Sequence, residues 1–198
     1  MSRLVVASNN PGKLRELGAM LGPLGFEPLA QSSLGVGEAE EPHETFLENA
    51  LAKARHACVA TGLPALADDS GLCVPSLAGE PGVHSAYYAG VEGDRATRDA
   101  RNNAKLVERL REGGERSAFY YCVLVMVRAP GDPCPLVAEG RWHGEITLEP
   151  AGANGFGYDP YFLPRGSRLT AAQMAPDEKN RVSHRARALQ ALAAQLAA

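Results

Sequence analysis

An apolar run from Leu4 to Ala7 breaks off at Ser8-Asn9-Asn10-Pro11-Gly12, and apolar residues return at Leu14, Leu17, Met20 and Leu21. The first run reads as a short buried strand. The second has helical spacing. A strand that runs through one tight turn into a helix is the opening of an α/β fold. The rest of the chain agrees. Phe26 to Ala30 reads as a second strand. Thr45-Phe46-Leu47-Glu48 is a capping box, and the helix it starts carries Phe46, Leu47, Ala50, Leu51, Ala54, Ala57 and Cys58 on one arc. Asn49 and Lys53 lie on an edge of that arc, and Gly62 and Pro64 end the helix. Ala65 to Ala67 and Leu72 to Val74 are apolar runs on either side of Asp68-Asp69-Ser70-Gly71. Asp94 to Arg111 reads as a polar helix. Phe119 to Val127 is the strongest strand, with Leu136 to Thr147 as its partner. Ser183 reads as the N-cap of an Ala/Leu helix that runs to Leu196.

Composition narrows the function classes. A chain of 198 residues with 45% hydrophobic residues is read as one domain, 1–198, with a real core and room for two lobes. The net charge of −3 argues against a binder of nucleic-acid polymers or anionic membranes, which carries a basic excess. It leaves open a small phosphorylated ligand, which needs only a few local cations. The apolar run at the start is too short for a signal peptide, and no stretch of about 20 apolar residues could span a bilayer. The four cysteines, Cys58, Cys73, Cys122 and Cys134, show no C-x-x-C pairing. They read as free thiols in a reducing compartment, which places the chain in the cytoplasm.

Four segments could carry chemistry. Ser8-Asn9-Asn10-Pro11-Gly12-Lys13 ends a strand with Gly-Lys at a helix start. Free backbone N–H groups and a cation there suit a polyphosphate, although an ordinary strand-to-helix turn uses the same residues. It is not a Walker A loop, because the upstream Gly is missing and Leu14 stands where Ser or Thr belongs. Asp68-Asp69 places adjacent carboxylates at a strand end, where they repel unless a cation or proton sits between them. Hard-cation binding is the natural use, and a solvated Asp turn is the alternative. In a regular strand the two side chains would point to opposite faces. Glu38, Glu40 and Glu41 form a second acidic cluster.

Gly155-Phe156-Gly157-Tyr158-Asp159-Pro160 sets an aromatic ring between two glycines, as a stacking platform would. A tight turn with Phe156 in the core is the other reading. Glu178-Lys179 and Ser183-His184-Arg185 put cations at a helix N-terminus, a local cost that a bound anion or base carbonyl could offset. A surface helix end explains the same residues. No H-E-x-x-H, G-x-S-x-G or Cys/His zinc spacing occurs.

Taken in order, these segments resemble the inosine-triphosphate pyrophosphatase family, which removes non-standard purine triphosphates from the nucleotide pool. The resemblance runs from Leu4 to about Leu192. It also includes Lys53-Ala54-Arg55 and Pro81-Gly82-Val83-His84-Ser85. It implies an elongated mixed β-sheet flanked by helices, two lobes with a central nucleotide cleft, a homodimer and a Mg²⁺ cofactor. It implies that Ser8, Asn9, Asn10, Pro11, Gly12 and Lys13 hold the triphosphate, with Lys53 reaching phosphate. Asp69 is then the catalytic carboxylate and a metal ligand. Glu41 is the preferred further metal contact, with Glu40 next. Ser70, Phe156, Gly157, Tyr158, Asp159, Lys179, His184 and Arg185 bind the nucleotide, the last two reading the base. The family often has Thr-Gly where this chain has Ser8-Asn9. Ser keeps the hydroxyl, and Asn tolerates positive φ better than other non-glycine residues.

The implied activity is attack of water on the α-phosphorus of an inosine, deoxyinosine or xanthosine triphosphate. A pyrophosphatase for modified pyrimidines or methylated bases is the nearest rival. A nucleotide sensor without turnover and a plain interaction domain are rivals of other classes.

Overall fold

The computed structural model describes residues 1–111 and 113–197. Among them are six strands and five α-helices: β1 Ser2–Val6, α1 Pro11–Leu21, β2 Phe26–Ala30, α2 Phe46–Thr61, β3 Ala65–Cys73, α3 Arg95–Arg111, β4 Ser117–Val127, β5 Leu136–Ile146, β6 Phe162–Pro164, α4 Pro176–Val182 and α5 His184–Leu196. The strands form one open mixed sheet in the order β2-β1-β3-β4-β5-β6. β1 is parallel to both β2 and β3, and β5 is antiparallel to β6. The expected α/β class is therefore present.

The chain divides into two compact units. Unit 1 comprises Met1–Asp69, Cys122–Gly140 and His184–Ala198, and unit 2 comprises Ser70–Tyr121 and Arg141–Ser183. In unit 1, Leu4 and Val6 of β1 pack with Leu17 and Leu21 of α1, Leu66, Leu124 and the α5 residues Ala188, Leu189 and Leu192. Leu17 and Leu21 are fully buried, each contributing about 1.5–3 kcal/mol relative to exposure. Gly140 lets α5 lie close against β5, because a Cβ there would strike the backbone of His184 and Ala188. That contact sets the depth at which the first turn of α5 enters the unit.

In unit 2 the core is aromatic. Tyr120 meets Phe162 edge-on at 4.8 Å between centroids, and Trp142 lies 5.2 Å from the same ring. Leu72, Leu106, Leu110 and Tyr158 complete it.

Three local expectations change. β3 runs without interruption through Asp68-Asp69-Ser70-Gly71, and Asp68 and Asp69 are only 1% and 6% exposed. A solvated Asp turn is thereby excluded. Asp94 stands just before α3, not within it, and its Oδ1 accepts from Thr97 N at 2.9 Å. Residues 176–182 form a separate helix, α4, which a Pro at its start and an extended Ser183 delimit.

Candidate active site

The site is built first by the start of α1. A helix leaves its first N–H groups without partners, and a side-chain oxygen just ahead of it normally takes them. Asn10 does this, its Oδ1 accepting from Gly12 N at 2.9 Å and Lys13 N at 3.2 Å. Pro11 follows at the position where no N–H is needed. Ser8 Oγ accepts from Asn10 N at 3.2 Å. This corrects the sequence reading of free backbone N–H groups at Gly12 and Lys13, because capping has already used them. Asn9 also departs from expectation. It does not adopt positive φ, and its Oδ1 accepts from Gln31 Nε2 at 3.3 Å.

What α1 contributes is charge. Lys13 Nζ lies 2.7 Å from Asp68 Oδ1 and donates to the Asp68 carbonyl at 3.2 Å. Glu16, one turn along, pairs with Arg185 Nη1. Arg185 Nε donates to Asp68 Oδ2 at 2.6 Å, and Cys122 Sγ donates to the same oxygen at 3.3 Å. Lys13, Asp68, Arg185 and Glu16 thus form a chain of alternating charge. Burial would raise the Asp68 pKa, but Arg185 and Lys13 outweigh it and hold the carboxyl well below the usual range. The Arg185 guanidinium is fully buried, and burial opposes its charge while Asp68 and Glu16 restore it. The cation at the start of α5 is therefore offset by two carboxylates of the protein. His184, beside it, is also buried.

Asp69 meets a different set of partners. Lys53 of α2 lies 2.9 Å from Asp69 Oδ1 and 3.3 Å from Glu41 Oε2. Asn49, one turn before Lys53, fixes the segment that brings Glu41 in. It accepts from His43 N and donates to His43 O, both at 3.1 Å. Glu40 is exposed, and no hydrogen bond or ion pair ties it to this group among the described residues. Asp69 Oδ2 is buried and has no hydrogen-bond partner among the described residues. Burial raises the Asp69 pKa above its ordinary value even though Lys53 and Lys13 pull it down. Burial lowers that of Lys53, but Asp69 and Glu41 reverse the effect, leaving it raised and the lysine charged.

The oxygens that could hold a divalent cation are Asp69 Oδ2, which has no hydrogen-bond partner among the described residues, and the Glu41 carboxylate beside Lys53. No group of three or more His, Cys, Asp or Glu residues able to hold a metal occurs among the described residues. Ser70, next on β3, is half-buried.

In unit 2 the Gly155–Asp159 turn is held from within. Asp159 Oδ2 accepts from Phe156 N at 2.8 Å and pairs with Lys179 Nζ at 2.6 Å. Gly155 is required there, since its φ is +77° and a Cβ would strike the Asp159 carboxylate. Tyr158 points into the core and donates to Ser85 O at 2.9 Å. Phe156 stays half-buried, with Lys179 Nζ 5.0 Å and Arg95 Cζ 4.7 Å from its ring centroid. The alternative of Phe156 as a core residue does not hold, because Tyr158 fills that position.

Glu16, Asn49, Arg95, Asp99 and Asn103 are not singled out by the sequence, although each holds a candidate residue or the segment that carries one. Their signal is spacing: Glu16 follows Lys13 by three, Asn49 precedes Lys53 by four, and the α3 residues recur every four.

Comparison with known proteins agrees with this architecture. The Ham1 family profile matches residues 4–195. A protein of Bordetella pertussis named dITP/XTP pyrophosphatase is 61% identical over 198 residues, covering 100% of this chain and 92% of that protein. One of the same name from Burkholderia pseudomallei is 62% identical over 195 residues, 98% of this chain and 93% of that protein. The solved structure of a HAM1 protein from Coxiella burnetii superimposes with a TM-score of 0.89 at 44% identity, covering 100% of this chain and 99% of that one.

Proposed function

This chain belongs to the Ham1 family, and from that premise we propose how its residues cut a nucleoside triphosphate. The enzyme hydrolyses non-standard purine nucleoside triphosphates, those of inosine, deoxyinosine and xanthosine, to the monophosphate and pyrophosphate. The observation that carries the mechanism is Asp69. It is a buried carboxylate with a raised pKa, one oxygen on Lys53 and the other without a hydrogen-bond partner among the described residues.

In this reading Asp69 takes the proton of the water that attacks the α-phosphorus. Lys53 keeps Asp69 ionised and, with Lys13, carries positive charge toward the phosphates. Asp69 and Glu41 are the residues that would hold Mg²⁺, which when bound neutralises charge on the leaving pyrophosphate. Asn10, Pro11 and Gly12 set the direction of α1 and so place Lys13, while Ser8 and Asn9 shape the loop before it. Glu40 stays with solvent. Phe156 offers a ring face to the base, and Gly157, Tyr158, Asp159 and Lys179 keep that ring in place. His184 is assigned to the purine 6-oxygen. Arg185 can reach a base only through N–H groups not already given to Asp68 and Glu16. Ser70 contributes its hydroxyl to the nucleotide. The whole chain acts as one catalytic domain, as a homodimer in the cytoplasm. The free thiols of the described cysteines support that location, since a reducing compartment keeps them so.

Product analysis tests the reading. Incubation with inosine triphosphate and Mg²⁺ should yield inosine monophosphate and pyrophosphate. Inosine diphosphate with orthophosphate, or no turnover, would overturn it. A panel including modified pyrimidine triphosphates checks the substrate class.

A further inference from the structure

We propose that Asp99 and Asn103 on α3 are positioning residues for nucleotide binding, holding the Gly157 peptide and through it the ring of Phe156. The proposal rests on the reading of Phe156 as the base platform. Asp99 Oδ2 accepts from Gly157 N at 3.0 Å. Asn103 Nδ2 donates to Gly157 O at 2.9 Å and to Asp99 O, one turn back on its own helix, at 2.8 Å. Both polar groups of Gly157 are thus held by side chains from a single helix face. The residue needs that restraint, because its φ of +62° lies in a region that glycine enters and leaves easily. On the other side, the Phe156 N–H is held by Asp159. The peptides on both sides of the aromatic residue are therefore anchored.

Arg95 extends the same face. Its guanidinium lies 4.7 Å over the Phe156 ring, and its Nε is 3.7 Å from Asp99 Oδ2. Arg95, Asp99 and Asn103 are spaced by four along α3 and all three act on one loop. Asn103 does this at a cost in stability. It is 7% exposed, and its Oδ1 is buried without a hydrogen-bond partner among the described residues. An apolar side chain would fill the position without burying an unmatched acceptor. The amide is there for its N–H groups.

A loop ordered beforehand need not be ordered by the substrate, so the gain is in binding rather than in the chemical step. Full-length wild type, Asp99→Ala, Asn103→Ala, Asp99→Asn and Phe156→Ala should be compared with inosine, xanthosine and adenosine triphosphates. Asp99→Ala and Asn103→Ala should raise KM about 3- to 10-fold for all three, the cost of ordering one or two side chains. Their kcat should stay within about twofold, since only ground-state and transition-state binding in common is lost. Asp99→Asn keeps an oxygen for Gly157 N and should restore KM to near the wild-type value. In a Phe156→Ala background, Asn103→Ala should raise KM no further, as expected of residues acting through one group. Asp99 is partly exposed, so its variants test the idea even if Asn103→Ala does not fold. A lowered Tm with unchanged KM in the α3 variants would overturn the proposal, as would a full KM effect in the absence of Phe156. An unchanged KM in Phe156→Ala alone would instead remove the platform reading beneath it.

Discussion

Asp68 and Asp69 are neighbours on one strand and equally out of reach of bulk water, yet their surroundings are opposite. Asp68 is matched atom by atom. Its two oxygens take Lys13, Arg185 and the Cys122 thiol, and its pKa is held far down. Asp69 has Lys53 on one oxygen, no hydrogen-bond partner on the other among the described residues, and a raised pKa. A carboxylate with both oxygens engaged is suited to hold other groups in place. One with a raised pKa and an open oxygen is suited to bind a cation or accept a proton. β-strand alternation creates the difference, sending one side chain toward α1 and α5 and the other toward α2. On the proposed mechanism, the contrast gives Asp68 a structural part and Asp69 a chemical one.

Each half of that contrast can be broken separately. The largest effect should come from removing the metal. With excess chelator, turnover of inosine triphosphate should be lost and Mg²⁺ should restore it, while thermal unfolding changes little, because the proposal puts the metal on Asp69 and Glu41 and leaves the Asp68 ion pairs intact. Full activity in chelator would take the cation away from Asp69 and Glu41. Next is Arg185→Ala, which takes a buried cationic partner from both Asp68 and Glu16. Breaking a buried ion pair by removing one partner costs about 3–5 kcal/mol. Urea unfolding should show that loss, and a change under about 1 kcal/mol would mean that Arg185 does not hold Asp68. Arg185→Ala should also lower kcat/KM for inosine and adenosine triphosphates together. A selective loss for inosine would return Arg185 to base reading.

Smaller effects should appear in pH dependence. Lys53→Met removes the cation that opposes burial at Asp69, so the Asp69 pKa should rise further. The acid limb of the kcat/KM profile should then move to higher pH, and an unmoved limb would mean that another group titrates there. For Asp68 the sign is the reverse. Its folded pKa lies below its unfolded value, so its contribution to stability is present above about pH 4 and is lost as pH falls through the folded value. The stability gap between wild type and Asp68→Asn, read from Tm, should be constant near neutrality and shrink only in strong acid. A gap that narrows already between pH 7 and 5 would contradict a depressed Asp68.

Much of this was legible in the sequence, for identifiable reasons. The β1–α1 opening, the Thr45 capping box and the Val-rich β4 are local patterns, and local patterns survive folding. Lys13 and the Asp68-Asp69 pair stand out locally because charged residues abut apolar runs, whereas the choice of Asp69 over Asp68 and the role of Lys53 come from the resemblance. Their partners do not stand out. Arg185 lies 117 residues from Asp68, and no local rule links them. The backbone N–H groups of Gly12 and Lys13 looked free because the same Asn-Pro-Gly sequence serves both a phosphate loop and a helix cap, and only the Asn10 side-chain geometry decides. The role of α3 was hidden in a helix so polar that Arg95, Asp99 and Asn103 did not stand out.

The most direct test sets Asp69→Asn beside Asp68→Asn, with kcat for inosine triphosphate at saturating Mg²⁺ and Tm measured on the same preparations. Asp69→Asn should lose about 10² to 10⁴ in kcat and keep its Tm near that of wild type, because an amide replaces a carboxylate that was only half matched. Asp68→Asn should show the opposite balance, a clear fall in Tm with the smaller change in kcat. Wild-type turnover by Asp69→Asn, or a larger loss of kcat in Asp68→Asn, would contradict the division of labour between the two.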